Sequence, residues 1–152
     1  MILAGTAIAV ILFDLFVQRK AALAVLSIIG IAAAATSIFV VKVTPADSIF
    51  NGMLAVDSFA FFFKLFFLGI VALVIMLSTD YVSKFERFRG EYYALLLLSA
   101  LGMMLMAAAQ ELISIYISLE LASISLYALS GFLKDKKSSE ASLKYLLLGA
   151  IS

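Results

Sequence analysis

The feature that most constrains this chain is a nearly unbroken apolar run over residues 112–133 with one acid, Glu120, close to its middle. At about 1.5 Å per residue, a helix of this length extends about 33 Å, enough to cross a hydrocarbon layer of about 30 Å. A carboxylate at mid-depth costs on the order of 3 kcal/mol on insertion scales, and each surrounding leucine or isoleucine offsets a few tenths. The sequence therefore predicts a membrane-spanning helix whose single acid is received inside the protein.

Polar side chains share one face of this predicted helix. Spacings of three and four place on that face Tyr116, Glu120, Ser123, Tyr127 and Ser130. Such a stripe is expected to face other helices or a hydrated cavity rather than lipid. An interhelical hydrogen-bond seam would explain the serines and tyrosines alone, but the acid favours a functional role.

The composition extends this interpretation to the whole chain. Its 152 residues are 65% hydrophobic and have a mean hydropathy of +1.18, well above a soluble domain's usual apolar share. We therefore expect a polytopic membrane protein with the bilayer as a partner. The chain has no Cys and no His, which excludes disulfides, iron–sulfur ligation, haem ligation and the commonest zinc sites from its residues. A net charge of +1 gives no indication of a nucleic-acid partner.

The apolar pattern predicts an all-α integral membrane bundle of five transmembrane helices and the start of a sixth. The predicted helices cover residues 1–17, 21–41, 58–77, 92–109, 112–133 and 141–152. The last range is about half of what a crossing needs, so we expect the chain to be the N-terminal part of a longer membrane domain. Asp57 or Ser58 is expected to cap the third helix and Ser138 the sixth.

Two connections carry further predictions. In the loop over 42–57, an Asn51-Gly52 pair between apolar residues predicts a small hairpin. Only Gln110 and Glu111 separate the fourth and fifth helices, so we expect a tight antiparallel pair. Small residues of the fourth helix would let a neighbour pack closely, namely Ser99, Ala100 and Gly102.

The basic residues predict an orientation. The connectors after the first, third and fifth helices must lie on one side of the membrane, and they carry eight of the eleven Lys and Arg residues. The opposite side has Lys42 alone, and the remaining two, Lys64 and Lys144, lie within helices. By the positive-inside rule, we expect the N-terminus outside and the three basic connectors in the cytoplasm.

The ionisable groups within the predicted helices differ in how easily a structural role explains them. Asp14 is close to the basic boundary after the first helix and is expected at headgroup level. Lys64 is near enough to the outer surface to reach it, and Lys144 has Glu140 four residues before it. Glu120 has no cation three or four residues away. Its carboxyl group would be neutral if it were shielded from water and unpaired, but ionised beside a lysine from another helix. This dependence on a partner suits a group that takes up and releases protons.

Three segments resemble a known family. The run SLELASISLYALSGF over 118–132 is similar to the fifth transmembrane helix of the antiporter-like membrane subunits of respiratory complex I, most of all to their N-type branch. EASLKYLLLGAIS over 140–152 resembles the start of the sixth helix in that branch. Asp57-Ser58-Phe59-Ala60, opening a Phe-rich helix with Lys64, is similar to the third. The superfamily also contains multisubunit sodium/proton antiporters.

This resemblance implies a proton-translocating role in an NADH-quinone oxidoreductase. By position, Glu120 matches a glutamate that pairs in the family with a lysine on helix seven, beyond residue 152. Lys144 matches a helix-six lysine in or near the relay, and Lys64, Ser123 and Tyr127 are further candidates. The resemblance implies no cofactor in this chain, with quinone, flavin and iron–sulfur clusters in partner subunits. It also implies other membrane subunits as partners and a bacterial or archaeal cell membrane as the location.

Two alternatives stay open at this point. One is a subunit of a multisubunit cation/proton antiporter that works without a redox module. The other is a non-transporting membrane scaffold in which Glu120 is only a buried hydrogen-bonding group.

Overall fold

The computed structural model describes residues 2–16, 20–43, 54, 57–83 and 89–151, and α-helices account for nearly all of them. In chain order these are α1 (Ile2–Phe16), α2 (Lys20–Val43), α3 (Ser58–Ser83), α4 (Arg89–Ala108), α5 (Leu112–Ser130) and α6 (Lys136–Ile151). Extended structure within those ranges is confined to an isolated antiparallel bridge between Leu54 and Ala109. The expected all-α class is confirmed.

Four stretches within the described ranges are long and apolar enough to cross a membrane. They are Ala22–Val40, Ser58–Val82, Arg89–Ala108 and Leu112–Ser130. The apolar part of α1, Ile2–Asp14, is shorter. The chain is a multi-pass membrane protein, whereas the count of five spans and the outward N-terminus stay predictions.

The centre of the bundle is α4, which packs against α1, α2, α3 and α5. Its Leu97 is fully buried, and so are Val10 of α1 and Ile75 of α3. A helix that is apolar on all sides gains most from such a central position, because every face can be covered by a neighbour. The placement of α4 therefore determines where α5 and its acid lie.

The C-terminal ends of α3 and α5 differ from the predicted boundaries. α3 continues to Ser83 instead of ending at residue 77. The first hydroxyls beyond that point are satisfied within the helix, because Ser78 donates to the Val74 carbonyl at 2.6 Å and Thr79 to the Met76 carbonyl at 2.9 Å. α5 ends at Ser130 rather than 133, and the chain turns at Gly131 towards α6. Short polar side chains are thus accommodated in a helix that their polarity had suggested would stop.

The helix caps were predicted with mixed success. Asp57 caps α3 as expected, its Oδ1 accepting the Ala60 N–H at 2.7 Å. The predicted Ser138 cap is wrong: Asp135 caps α6, accepting the Ser138 N–H at 2.6 Å, so the helix begins at Lys136. Hydrogen bonds from Ser138, first its side chain and then its backbone N–H, hold the pKa of Asp135 below its ordinary value. The predicted Asn51-Gly52 hairpin lies outside the described residues.

The bundle has two sides, which we name by their acids. One of them, the Asp57 side, contains the starts of α1 and α3 and the ends of α2 and α4. α1 ends and α4 begins on the other, the Asp14 side. Glu120 and Lys64 both lie nearer the Asp57 side, about 12 Å and about 9 Å into their helices.

Candidate functional site

Backbone contact holds α5 against α4 at Gly102. A Cβ at this glycine would lie 2.6 Å from the Ala122 nitrogen and 2.9 Å from the Ser118 carbonyl oxygen. Because both of these atoms belong to the backbone of α5, only glycine allows the two helices to approach so closely. The tight antiparallel pair and the close-packing role of Gly102 are confirmed.

The face of α5 that meets α4 consists of small residues. Ser118, Ala122 and Ser125 are all buried there. Both hydroxyls donate to carbonyls of their own helix, Ser118 to Ser114 at 2.6 Å and Ser125 to Leu121 at 2.8 Å. This seam was not predicted, although its spacing of four and three was available in the sequence.

Glu120 is turned to the opposite side of α5. Ser118 and Ala122 are two residues before and after it, so at about 100° per residue they lie nearly across the helix from it. Glu120 is half-buried. Within residues 2–16, 20–43, 54, 57–83 and 89–151, no side chain or backbone group forms a hydrogen bond or ion pair with its carboxylate. The acid therefore faces away from α4, towards space that those residues leave uncovered.

The polar stripe of α5 is covered by α6 at Tyr127. The Ser142 hydroxyl donates to the Tyr127 carbonyl at 2.7 Å, and the Tyr127 and Tyr145 rings meet edge to face with centroids 4.7 Å apart. The Tyr127 hydroxyl lies against Gly149, where a Cβ would collide with it. The prediction that the stripe meets another helix is confirmed at this end. At the other end Tyr116 is 62% exposed.

Lys144 lies on the far face of α6. Its ammonium donates to the Glu140 carboxylate at 2.7 Å, as the spacing of four residues predicted, and both side chains are mostly exposed. Lys144 is two residues from Ser142, so it points away from the face of α6 that contacts Tyr127. The structure therefore does not bring Lys144 to the polar stripe. An exposed pair of this kind contributes at most a few tenths of a kcal/mol.

Lys64 lines a pocket inside the bundle. The pocket has a volume of about 180 Å³ and is walled by α1, α2, α3 and α4. Ser37 of α2 is the other polar residue in its lining. Lys64 and Glu120 lie on different sides of α4, because α3 and α5 both pack against it but not against each other. The structure thus separates these two candidate residues by one helix.

Asp14 caps a helix that is remote from it in sequence. Its Oδ2 accepts the backbone N–H of Gly90, in the first turn of α4, at 2.9 Å. The half-buried carboxylate lies two residues from the end of α1 and at the start of α4, so the expectation of an acid at headgroup level stays a prediction. No signal in one sequence links two positions 76 residues apart.

Acidic residues do not cluster into a metal site here. Across the described part of the chain, no group of three or more His, Cys, Asp or Glu side chains is close enough to hold a metal ion. What the residues present can do is proton transfer and charge pairing, with Glu120 as the one acid near mid-helix in α5.

Comparisons with known proteins show what this chain is similar to. Residues 109–152 match the model of the family described as NADH:quinone oxidoreductase/Mrp antiporter, transmembrane. Subunit N of the NADH-quinone oxidoreductase from Dehalococcoides mccartyi is 51% identical over 148 residues, 97% of this chain and 30% of that protein. The same subunit from Trichlorobacter lovleyi is 44% identical over 154 residues, 99% of this chain and 31% of that protein.

A solved structure extends the likeness to three dimensions. A chain of respiratory complex I from Thermus thermophilus, determined with bound aureothin, superposes with a TM-score of 0.78 at 32% identity, covering 99% of this chain. The chain belongs to the NADH:quinone oxidoreductase/Mrp antiporter membrane family. The resemblance seen in the sequence is thereby confirmed. This family member spans about three-tenths of the length of the relatives it matches.

Proposed function

We propose that this chain forms part of a membrane subunit of a proton-translocating NADH-quinone oxidoreductase in a bacterial inner membrane, in which Glu120 takes up and releases a proton. Relatives named as subunit N, at 51% and 44% identity, support the class of complex. The observation that carries the role of Glu120 is its orientation. It is a half-buried acid near mid-helix that faces away from α4 and has no partner among the described residues.

The mechanism follows from the cost of an unpaired charge in the membrane. A lysine from outside this segment, placed beside Glu120, would keep the carboxylate ionised, and withdrawal of that lysine would favour the neutral, protonated acid. Quinone reduction in partner subunits, which would hold the quinone, flavin and iron–sulfur clusters, would drive the change in pairing. Other membrane subunits of the complex would be the partners through which that change reaches Glu120.

The hydroxyls of the stripe take different parts in this proposal. Ser123 is half-buried and lies less than one turn from Glu120 on the same face, so it is placed to orient a water beside the acid. Tyr127 serves instead as the docking point of α6. Lys144 would join the relay only after leaving Glu140, and Lys64 would act from the other side of α4.

Glu120→Gln in the full-length subunit, within the assembled complex, tests the proposal. Glutamine keeps the shape and the hydrogen-bonding capacity of the side chain but cannot exchange a proton. We expect fewer protons to be translocated per electron in proteoliposomes, with normal assembly. The matched control is Glu111→Gln, which makes the same change at the exposed N-cap of the same helix. An unchanged proton-to-electron ratio in Glu120→Gln would discard the role given to this acid.

A cation/proton antiporter subunit is the second candidate, because the matching family model includes Mrp antiporters. Cation-driven proton exchange by vesicles lacking any quinone reductase would favour it. If the chain is instead a non-transporting scaffold, Glu120→Gln should lower the midpoint of thermal unfolding and leave proton translocation unchanged.

A further inference from the structure

Three polar groups on one face of α5 have no hydrogen-bond partner among the residues whose positions the structure describes. They are the Glu120 carboxylate, the Ser123 hydroxyl and the Tyr127 hydroxyl, and all three residues are half-buried. The neighbouring serines Ser125 and Ser130 differ, because each donates to a backbone carbonyl of its own helix. We name the three unpartnered groups the polar column.

The spacing of the polar column suits water. An unpartnered carboxylate or hydroxyl in apolar surroundings costs free energy, so these groups require hydrogen bonds from another source. Glu120, Ser123 and Tyr127 are three and four residues apart, about 4.5 Å and 6 Å along the axis of α5. One water joins two polar atoms that are about 5.6 Å apart, since each hydrogen bond measures about 2.8 Å. A file of waters would therefore satisfy all three groups and connect them.

The polar column leads to the Asp14 side of the bundle. α5 ends there at Ser130, and Phe132, just beyond, packs against an aromatic ring in the first turn of α4. Ser130 and Ser142 both donate to the Tyr127 carbonyl, at 2.8 Å and 2.7 Å, so each keeps lone pairs that can accept a hydrogen bond from water. The opposite face of α5 offers no such route, because backbone contact at Gly102 leaves no room for water.

The Tyr127 side chain blocks this route where α6 covers it. Its hydroxyl lies against Gly149, in the place that a Cβ would occupy, so no water fits between them. α6 packs against α5 but against no other helix that the structure describes, and none of its residues is buried. The seam between Tyr127 and α6 can therefore open without disrupting the core of the bundle around α4.

We propose that the polar column is a hydrated path along which Glu120 exchanges its proton with the Asp14 side, and that Tyr127, seated on Gly149, is the residue that closes it. The inference rests on the proposed function, since it supplies a path for the proton that Glu120 takes up. A proton enters the file of waters from the Asp14 side, and the last water gives a proton to the Glu120 carboxylate. The hydroxyls hold the waters by accepting hydrogen bonds from them, so no serine or tyrosine loses its own proton. Tyr127 is thus a positioning residue.

Thiol labelling of the full-length subunit, in its complex and reconstituted into proteoliposomes, tests the path. The chain has no Cys, so Ser123→Cys gives residues 1–152 a single thiol, and its labelled peptide is identified by mass spectrometry. The reagent is the membrane-impermeant cation trimethylammonioethyl methanethiosulfonate, added to one face of the membrane at a time. Ser139→Cys, at the exposed start of α6, identifies the Asp14 side. Ser125→Cys, buried against α4, is the control for general loosening.

We expect Ser123→Cys to be labelled slowly from the Asp14 side while Tyr127 is present. Labelling should be at least about tenfold faster in combination with Tyr127→Ala, because a closed seam is open in a minor fraction of molecules, up to about 10%. Tyr127→Phe keeps the ring and should stay slow, and Ser125→Cys should stay unlabelled. Equal labelling of Ser123→Cys with and without Tyr127→Ala, faster labelling from the Asp57 side, or an equal gain in Ser125→Cys would overturn the proposal.

Labelling needs no turnover, so its outcome is separate from that of Glu120→Gln. Labelling that ignores Tyr127 would refute the path and leave the role of Glu120 standing. An unchanged proton-to-electron ratio in Glu120→Gln would refute that role whatever the labelling shows. Should Tyr127→Ala fail to assemble, an electron-microscopy map of wild type decides. Water density within about 3.2 Å of the Ser123 Oγ is expected, and its absence, or a protein side chain bonded there, would refute the path.

Discussion

The Asp14 carboxylate at the end of α1 accepts a 2.9 Å hydrogen bond from the backbone N–H of Gly90, in the first turn of α4. The first N–H groups of a helix have no intrahelical partner, and the helix dipole favours a negative charge beside them. One acid therefore satisfies the start of the central helix from a neighbouring helix. This contact helps to set the position of α4 along the bundle axis relative to α1. It therefore also affects the level along that axis at which Gly102 meets α5.

Loss of this cap is expected to destabilise the bundle. Asp14→Ala should lower the free energy of unfolding by about 1 kcal/mol, as loss of a helix cap generally does. Asp14→Asn should cost less, because it keeps the acceptor. The midpoint of thermal unfolding of the full-length protein in detergent measures both. Equal midpoints for wild type and Asp14→Ala would show that the hydrogen bond contributes nothing.

Gly90 itself should not tolerate a side chain. A Cβ there would lie 2.5 Å from the Asp14 Cβ, so Gly90→Ala must separate α1 from α4 and is expected to cost about 1–3 kcal/mol. The matched control is Gly69→Ala in α3, where a Cβ meets no atom within 4 Å. That control should be neutral or stabilising, since alanine favours a helix over glycine. A smaller shift of the thermal midpoint for Gly90→Ala than for Gly69→Ala would contradict the contact.

The α4–α5 seam gives a prediction about Glu120. Gly102→Ala places a Cβ 2.6 Å from the Ala122 nitrogen, and a backbone atom cannot rotate away as a side chain can. The helices must move apart, so the variant should lose about 1–3 kcal/mol of stability and change the environment of Glu120 across α5. Gly5→Ala in α1, with nothing within 4 Å of the new Cβ, is the control. Proton translocation and thermal midpoint should both fall in Gly102→Ala alone.

Much of this fold could be predicted because the membrane imposes simple rules. A long apolar run that crosses a membrane must form a helix, and this rule predicted the six helices and the tight α4–α5 pair. Local chemistry gave the Asp57 cap and the Glu140–Lys144 pair, since both depend on residues three or four positions apart. What could not be predicted is non-local.

The contact of Asp14 with Gly90 and the rotation of α5 about its axis depend on which helix packs where. Both Ser118 and Glu120 are polar residues near mid-helix, and the sequence alone did not indicate which of them meets α4. Helix ends were missed for a related reason. Ser78 and Asp135 act through bonds to the backbone, which hydropathy does not register.

Asp135 gives a prediction about pH. Hydrogen bonds from Ser138 lower the pKa of Asp135 in the folded protein. The carboxylate therefore stabilises the fold fully at a pH above the ordinary pKa of an aspartate. This stabilisation is lost as the pH falls through the lower pKa of the folded state. Asp135→Asn keeps a capping acceptor without titrating, whereas Asp135→Ala should expose the first amides of α6 to exchange at neutral pH. Hydrogen exchange at Ser138 and Ser139 measures this. If acid reduces the protection of these amides no more in wild type than in Asp135→Asn, the role of the carboxylate is contradicted.

The contact between Tyr127 and Gly149 can be tested by a double-mutant cycle. Gly149→Ala forces a methyl group into the Tyr127 hydroxyl, so we expect α6 to shift from the polar stripe at a cost of about 1–3 kcal/mol. In a Tyr127→Phe background the hydroxyl is gone but the ring carbon Cζ would still lie 2.7 Å from the new Cβ, so the penalty should shrink without vanishing. The thermal midpoints of the four proteins give the interaction energy. Equal penalties in the two backgrounds would mean that the hydroxyl does not touch Gly149, and the contact of α6 with Tyr127 would then rest on other groups such as Ser142 and Tyr145.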